Sequence, residues 1–373
     1  MPTSIIPGAV ARQPWRVILA LFALVLFGAA VLYSAAGGSL RPWAAMHVIR
    51  FCVFLAVALA ISRLPLRAFR TVAFPLYLAI TALLIVVDAI GAIGGGSRRW
   101  LDLGVMTLQP SELMKPGIVL VLARFYELLP ATESQGWRAI VPGLGLIAVP
   151  VGLVMLQPDL GTGLAITFGA GAVMFLAGLP MRWFLGAGAA VVVAAPLAFF
   201  TLLHDYQRRR VTTFLDPESD PLGSGYHITQ SKIAIGSGGL FGKGFGQGSQ
   251  SHLDYLPEPH TDFVFATMAE EWGVVGGLFV LVIFAVVLRW ASQVALNAPD
   301  RFSRLLAAGM ATTIFIYVAI NLMMVMGLAP VVGIPLPFMS HGGSSMLTNM
   351  ICIGVIMAVD RWSGERGPSR TLN

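Results

Sequence analysis

Long apolar runs alternate with short polar connections along nearly the whole chain. Ten of these runs have close to the 20 mainly apolar residues that a helix needs to cross the hydrocarbon core of a bilayer. They lie at about 15–36, 44–63, 70–91, 111–129, 138–156, 160–178, 182–202, 266–290, 303–327 and 344–361. The pattern therefore predicts an all-α polytopic membrane protein with about ten transmembrane helices, in a single domain that covers residues 1–373.

One connection, at about 203–265, is much longer than the others. It combines many charged residues with a glycine-rich stretch from Gly236 to Gly248, and apolar residues recur between them. Loops of this length are uncommon unless they are functional or disordered. The interleaved apolar positions favour an ordered loop that lies along the membrane surface.

Composition narrows the class of protein further. The 373 residues are 57% hydrophobic and 11% charged, whereas a soluble domain has about a quarter of its residues charged. This excludes a soluble enzyme, a nucleic-acid-binding module and a disordered regulator. The net charge of +6 comes from basic residues that stand mostly singly between apolar runs, so we expect no nucleic-acid partner.

The placement of the basic residues predicts the orientation in the membrane. If the N-terminus is cytoplasmic, fourteen arginines fall on inner segments and three on the short outer loops. Positively charged residues concentrate on the cytoplasmic side of membrane proteins. With an even number of spans, both termini are then cytoplasmic and the 203–265 loop is extracytoplasmic.

The two cysteines, Cys52 and Cys352, each lie inside an apolar run. The sequence therefore has no disulfide framework and no spacing typical of a metal site. No metal-ligating residues are assigned.

Ionisable residues inside apolar runs are candidates for a functional site, because they are costly at membrane depth. Glu112 and Lys115 stand three positions apart at the start of the fourth run, which places them on one helix face. They form either a structural ion pair or the polar floor of a substrate cavity. Asp159, in Gln157-Pro158-Asp159, is either a helix N-cap or a further site residue.

Asp262 is the strongest candidate for a catalytic residue. It lies where the long loop enters the eighth run, next to phenylalanines, in His260-Thr261-Asp262-Phe263. The position suits an N-cap or a single general base. Glu270 is eight residues further on, roughly 12 Å along a helix, and is too distant to form a tight carboxylate pair. We expect His260 and His341 to be structural.

The glycine-rich run contains Lys243 and follows Lys232, but it has neither Walker A nor Rossmann spacing. Its glycines and ammonium groups are compatible with the close approach of a pyrophosphate. A flexible turn over the membrane surface is an equal alternative. Arg208, in an Arg-Arg-Arg sequence, suits either a substrate or a lipid headgroup.

Nine stretches that cover spans three to ten form a specific pattern: 99–104, 109–112, 157–162, 206–208, 216–223, 225–227, 230–239, 260–263 and 330–337. Together they resemble the SEDS family of shape, elongation, division and sporulation proteins. Within the family, the stretches 225–227, 230–232 and 242–244 resemble the elongation branch rather than the division branch. His341 departs from the pattern, since the family has tyrosine there.

The resemblance implies a peptidoglycan glycosyltransferase of the bacterial cytoplasmic membrane that polymerises lipid II during cell elongation. In that activity Asp262 is the general base that deprotonates the 4-hydroxyl of the acceptor sugar. The implied substrate-binding residues are Lys115, Glu112, Arg99, Arg208, Lys232, Lys243 and Asp159. A divalent cation is compatible with this chemistry, but the sequence offers no complete ligand set for one.

The resemblance also implies a partner, a class B penicillin-binding protein whose single membrane helix packs near spans eight and nine and whose outer domain meets the long loop. Gly273 and Gly277 form a G-x-x-x-G pair in span eight, which permits close helix packing. That face accepts either the partner or the protein's own helices. Three other functions stay open at this point: a lipid II flippase, a scaffold without enzymatic activity in which Asp262 is only a helix cap, and the division-specific polymerase.

Overall fold

The computed structural model describes residues 13–365 except 95–96, 103, 105–106, 131–132, 134–135, 202–204, 218–222, 254 and 257. Most of the 216–223 stretch therefore lies outside the described residues, as do Arg12, Arg366 and Arg370 of the charge count. The helices of the described part are α1 Trp15–Ala35, α2 Trp43–Ile61, α3 Leu66–Ile90, α4 Pro110–Leu128, α5 Trp137–Leu156, α6 Leu160–Leu176, α7 Met181–Thr201, α8 Asp205–Leu215, α9 Ser224–Ser237, α10 Ser249–His252, α11 Val264–Leu296, α12 Arg301–Val325 and α13 Gly343–Glu365.

Each of the ten predicted apolar segments is a helix: α1 to α7 and α11 to α13. Seven of them, α1, α2, α3, α5, α11, α12 and α13, are long and apolar enough to cross a membrane. Helix α6 and the apolar part of α7, Met181–Leu197, are shorter. The polytopic all-α class is confirmed, and the number of crossings stays a prediction.

A small antiparallel sheet between α3 and α4 was not predicted. Its strands are β1 Ala92–Gly94, β2 Ser97–Asp102 and β3 Thr107–Leu108, in the order β1-β2-β3. The strands are too short to show a clear alternation of apolar and polar residues. The sheet matters for the site, because β2 carries Arg99.

The long loop contains helices α8, α9 and α10 in its described part. Helix α9 packs on α11 and α12, so it is held against the bundle. Ser231 Oγ on α9 donates a 2.7 Å hydrogen bond to the carbonyl of Val325, the last residue of α12. This agrees with the expectation of an ordered loop.

Helix α12 is central to the bundle. It packs against α4, α6, α11 and α13, and Phe302 and Tyr317 on it are fully buried. Gly309 allows α12 to approach α4, since a Cβ there would lie 2.5 Å from a methyl carbon of Val119. The central helix therefore contacts most of the elements that carry candidate residues.

Helix α11 is kinked at Gly273, whose φ of 61° and ψ of −156° are open essentially to glycine alone. The kink accepts the glycine-rich loop. The backbone N–H of Lys243 donates to the carbonyl of Glu270 at 2.9 Å, and that of Val274 donates to the carbonyl of Gly239 at 3.0 Å. The loop thus takes up backbone hydrogen bonds that the helix loses at the kink.

Of the two alternatives for the G-x-x-x-G pair, the structure favours packing by the protein's own chain at Gly273. A Cβ on Gly273 would lie 2.4 Å from the backbone nitrogen of Gly242, so the protein's own loop occupies this surface. Gly277 is more open, because a Cβ there would lie 3.6 Å from its nearest neighbour, the Phe265 ring. Gly273 is a glycine because of loop docking, and it offers no surface for another helix.

Candidate active site

Asp262 lies two residues before α11, in the turn that ends the long loop, and its side chain is half-buried. A Cβ built on Gly333 would lie 3.5 Å from Asp262 Oδ2. Gly333 has a φ of +71°, which glycine adopts without strain. The connection between α12 and α13 therefore passes close to this carboxylate.

That connection also fixes the backbone around Asp262. Asn321 Nδ2 donates to the carbonyl of Asp262 at 2.9 Å, and Ser340 Oγ donates to that of Thr261 at 2.6 Å. The backbone N–H of His341 donates to the carbonyl of His260 at 2.8 Å. Three consecutive carbonyl groups are held from outside the turn, which makes the position of Asp262 well defined.

Asp159 is the N-cap of α6, since its Oδ1 accepts from the backbone N–H of Thr162 at 3.1 Å. Its Oδ2 accepts from Gln109 Nε2 at 3.0 Å, which joins two of the predicted motif stretches. Two residues later, a Cβ on Gly161 would lie 2.5 Å from the carbonyl oxygen of Val332. The capping interpretation of Asp159 is confirmed, and α6 begins against the same connection that passes Asp262.

Arg99 on β2 holds the turn before α6. Its Nε donates to the carbonyl of Gln157 at 2.7 Å, and its Nη2 donates to that of Pro158 at 2.6 Å. These bonds satisfy carbonyl groups at the end of α5. The guanidinium is thus engaged by the protein, and its contact with substrate stays a prediction.

Glu112 and Lys115 form the predicted ion pair, with Lys115 Nζ 2.6 Å from Glu112 Oε1. Their side chains are only 7% and 1% exposed. Tyr317 completes the group: its hydroxyl accepts from Lys115 Nζ at 2.8 Å and donates to Glu112 Oε2. The ion pair is confirmed. Whether it also forms the floor of a substrate cavity stays a prediction.

One face of α12 connects these features. Tyr317, Asn321 and Val325 are spaced four apart, so they lie on the same side of the helix. Tyr317 contacts the Glu112–Lys115 pair, Asn321 holds Asp262, and Val325 receives α9. Sequence reasoning missed Tyr317 and Asn321, since nothing near them in the sequence marks them as polar partners.

Lys232 and Lys243 differ in their surroundings. Lys243 Nζ lies 2.6 Å from Glu270 Oε1, so its charge is compensated within the protein. Lys232 is exposed on α9, with its side chain against Gly327, and it makes no hydrogen bond or ion pair among the described residues. Lys232 is therefore the better placed of the two to meet an anionic ligand.

Arg208 on α8 donates from Nη2 to the carbonyl of Phe200 on α7 at 2.9 Å. Helix α8 packs on α9. The bond to Phe200 links α8 to α7, and a contact of Arg208 with substrate stays a prediction.

Arg50 is a residue of this region that sequence reasoning missed. It lies within α2, and its Nη1 is 3.1 Å from His341 Nε2. A lone arginine inside an apolar span was the available signal. His260 lies in the same area and stacks on Trp43 with ring centroids 4.0 Å apart. His341 thus has a specific partner at the position where the family has tyrosine.

Burial, the Arg50 guanidinium and His260 together lower the pKa of His341 to about 4. His341 is therefore neutral in the folded protein, which lets Nε2 accept a hydrogen bond from Arg50. Because its folded pKa lies below the value of about 6.5 for an unperturbed histidine, protonation favours unfolding. Its contribution to stability is complete above about pH 6.5 and is lost as the pH falls toward 4.

We expect His341→Gln to flatten the pH dependence of stability, since glutamine can accept from Arg50 but does not titrate. The measurement is the melting temperature of the purified protein between pH 7 and pH 5. The wild type should lose more stability over this range than the variant. Equal slopes for the two proteins would show that His341 does not set this dependence.

Metal ligands are not grouped in the described part of the chain. No cluster of three or more His, Cys, Asp or Glu side chains there is arranged to hold a metal ion.

The chain is similar to known proteins over most of its length. The family model of the FtsW, RodA and SpoVE proteins, described as "Cell cycle protein", matches residues 14–365. Peptidoglycan glycosyltransferase MrdB of Escherichia coli strain K12 is 43% identical over 346 residues, which are 92% of each chain. Stage V sporulation protein E of Bacillus subtilis is 40% identical over 280 residues, covering 75% of this chain and 76% of the relative.

Solved structures have the same fold. A chain from a peptidoglycan synthase complex that coordinates polymerization and crosslinking superposes with a TM-score of 0.82 at 33% identity, covering 94% of this chain and 98% of that chain. The rod shape determining protein RodA of Thermus thermophilus gives a TM-score of 0.70 at 30% identity, covering 94% and 97%.

Proposed function

This chain belongs to the FtsW/RodA/SpoVE family of cell cycle proteins, whose model covers residues 14–365, and we propose that it is a peptidoglycan glycosyltransferase of the elongation type. MrdB, which is named for this activity, shares 43% of its residues over 92% of both chains. The geometric observation that carries the proposal is the carboxylate of Asp262, whose turn is held through three consecutive backbone carbonyls.

The proposed reaction joins two lipid-linked saccharides. Asp262 accepts the proton of the acceptor 4-hydroxyl as the oxygen attacks the anomeric carbon of the donor. The bond between that carbon and the pyrophosphate oxygen breaks, and the undecaprenyl pyrophosphate departs with the bonding electron pair. The lipid II substrate follows from the family resemblance.

Charge develops on the departing pyrophosphate, and cationic groups stabilise it best when they are fixed before the reaction. Among the candidate substrate-binding cations, Lys232 is the exposed one that makes no hydrogen bond or ion pair with the described residues. Lys115 is buried and already bonded to Glu112 and Tyr317. We propose that Lys232 is the first cation to contact the pyrophosphate, whereas Lys115 lies deeper in the protein.

A polymerase and a flippase can be distinguished in one preparation by what happens to lipid II. Purified protein in liposomes with labelled lipid II should produce glycan chains longer than the starting disaccharide, resolved on a gel. Transfer of labelled lipid II between leaflets without any glycan product would support the flippase and contradict the proposal. The division-specific polymerase would differ in the cellular process rather than in this assay.

A crosslinking partner fits the same function. One solved relative is a chain of a complex that coordinates polymerization and crosslinking, and we propose that the protein described here binds a class B penicillin-binding protein beside α11 and α12. Helix α11 has an outward apolar face that is not covered by the rest of the described chain, with Leu278 55% exposed. A single membrane helix packed there would bury this face.

We expect Leu278→Trp to reduce co-purification of the transpeptidase at least several-fold, because the bulkier side chain blocks close packing. Val192→Trp is the matched control, since Val192 is an exposed apolar residue of a different helix, α7, and is 72% exposed. Both variants should melt like the wild type. A loss of the partner with Val192→Trp, or full retention with Leu278→Trp, would place the interface elsewhere.

The orientation remains part of the proposal, with both termini in the cytoplasm and the 203–265 loop outside. The charge asymmetry of fourteen arginines against three supports it. Cysteine labelling tests it best at Gln247, which is exposed in the loop, with the exposed Cys52 replaced first. An impermeant reagent should label Gln247→Cys from outside intact cells.

A further inference from the structure

A cavity of about 590 Å³ lies at the end of the bundle opposite Asp262. Residues from the start of α1, the second half of α11 and the end of α13 form its wall. Arg289 is 25 positions after the first residue of α11, which corresponds to roughly 38 Å of helix. The hydrocarbon core is about 30 Å thick. If Asp262 lies at one membrane surface, the cavity lies at the other.

Two arginines determine the charge of the cavity. Arg16 and Arg289 line it, both are exposed, and neither makes a hydrogen bond or ion pair among the described residues. Asp360 is the opposing charge, and its Oδ2 accepts from Trp290 Nε1 at 3.3 Å. Two guanidinium groups and one carboxylate leave the cavity with a net positive charge.

The start of α1 adds to this field. It has no side-chain cap and no acidic residue in its first turn, so within the described part of the chain no carboxylate of α1 itself offsets the positive end of the helix dipole. Trp15 and Trp290 line the cavity as well. Tryptophan is enriched where membrane proteins cross the interface between lipid and water.

We propose that this cavity binds the phosphate group of an anionic phospholipid. Guanidinium groups match phosphate oxygens with paired hydrogen bonds, and the volume is within the range of small-ligand sites. Val17 and Val286 also line the cavity, which gives the glycerol and the first acyl carbons an apolar surface. A soluble phosphate would leave that surface unused. With the proposed orientation, the cavity faces the inner leaflet of the membrane. The proposal of a lipid site does not depend on the proposed activity.

Native mass spectrometry of the intact protein, released from nanodiscs of phosphatidylglycerol or phosphatidylcholine with matched acyl chains, tests the site. The wild type should retain phosphatidylglycerol in preference to phosphatidylcholine. In the double variant Arg16→Gln/Arg289→Gln this preference should fall by about 30-fold, the effect of two basic residues near an anionic surface. Arg67→Gln/Arg182→Gln is the matched control: both arginines are exposed, in the first turns of α3 and α7, and outside the cavity. It should keep the wild-type preference.

A further variant, Arg16→Lys/Arg289→Lys, keeps the charge and should retain most of the preference, which guards against a folding defect in the glutamine variant. An equal loss of the phosphatidylglycerol preference in the Arg67→Gln/Arg182→Gln control would show that the preference depends only on general surface charge, and would contradict the proposed site. The source of the phosphate is tested with inorganic phosphate added to the phosphatidylcholine sample. If inorganic phosphate raises the melting temperature as much as phosphatidylglycerol does, and through the same arginines, the lipid assignment is wrong.

Discussion

Replacing Asp262 with asparagine is expected to lower the rate of glycan polymerisation by about 10²–10⁴-fold, the usual cost of losing a general base. The amide has nearly the shape of the carboxylate but does not accept the proton of the acceptor hydroxyl. The backbone carbonyl of Asp262, bonded to Asn321 Nδ2 at 2.9 Å, is unchanged. The loss should therefore appear in the initial rate with purified protein at fixed lipid II, while expression and melting temperature stay at wild-type values.

Glu258→Gln provides the matched control. It makes the same chemical change four residues earlier, at a side chain that is 58% exposed and accepts from Thr261 Oγ1 at 2.8 Å. Glutamine keeps that acceptor, so polymerisation should be nearly normal. A comparable loss in both variants would mean that negative charge in the turn matters in general. Normal synthesis by Asp262→Asn would remove the residue from the mechanism.

The helices were predictable because the bilayer imposes a length on them. All ten apolar runs correspond to helices, with ends that differ by only a few residues in most cases. The exception is α11, predicted at 266–290 and observed at Val264–Leu296. Its kink at Gly273 was not readable, since the cause is the docking of a loop that lies some 30 residues earlier in the chain.

The site was predictable where the chemistry is local. Glu112 and Lys115 are three residues apart, so their contact follows from helix geometry, and Asp159 precedes a helix at a capping position. The partners that come from far away were not predictable. Tyr317 is 205 positions from Glu112, and Asn321 is 59 positions from Asp262. Only the packing of α12 in the middle of the bundle brings them together.

Removing one member of the Glu112–Lys115 pair is expected to destabilise the protein by about 3–5 kcal/mol, because the remaining charge is left buried without its partner. The change should be large for either Glu112→Gln or Lys115→Met, since the side chains are only 7% and 1% exposed. The double variant should be more stable than the sum of the two losses predicts. Chemical or thermal unfolding of all four proteins in one detergent measures this coupling.

Glu133 and Arg138 supply the control pair. They lie 3.0 Å apart with side-chain exposures of 36% and 79%, so water screens their attraction. Breaking this pair should cost at most about 1 kcal/mol. Equal effects at the two pairs would show that burial does not strengthen the Glu112–Lys115 interaction.

The activity of the double variant then separates the two roles that the sequence left open for the pair. If Glu112 and Lys115 only stabilise α4 against α12 through Tyr317, a folded Glu112→Gln/Lys115→Met protein should polymerise lipid II at close to the wild-type rate. If they form the floor of a substrate cavity, polymerisation should stay low even though stability is largely restored, because the substrate has lost a fixed charge that no other change replaces. Tyr317→Phe distinguishes the two further: it removes the hydroxyl that bonds both charges and leaves the ion pair itself in place. A structural role predicts a modest loss of stability in this variant with activity retained.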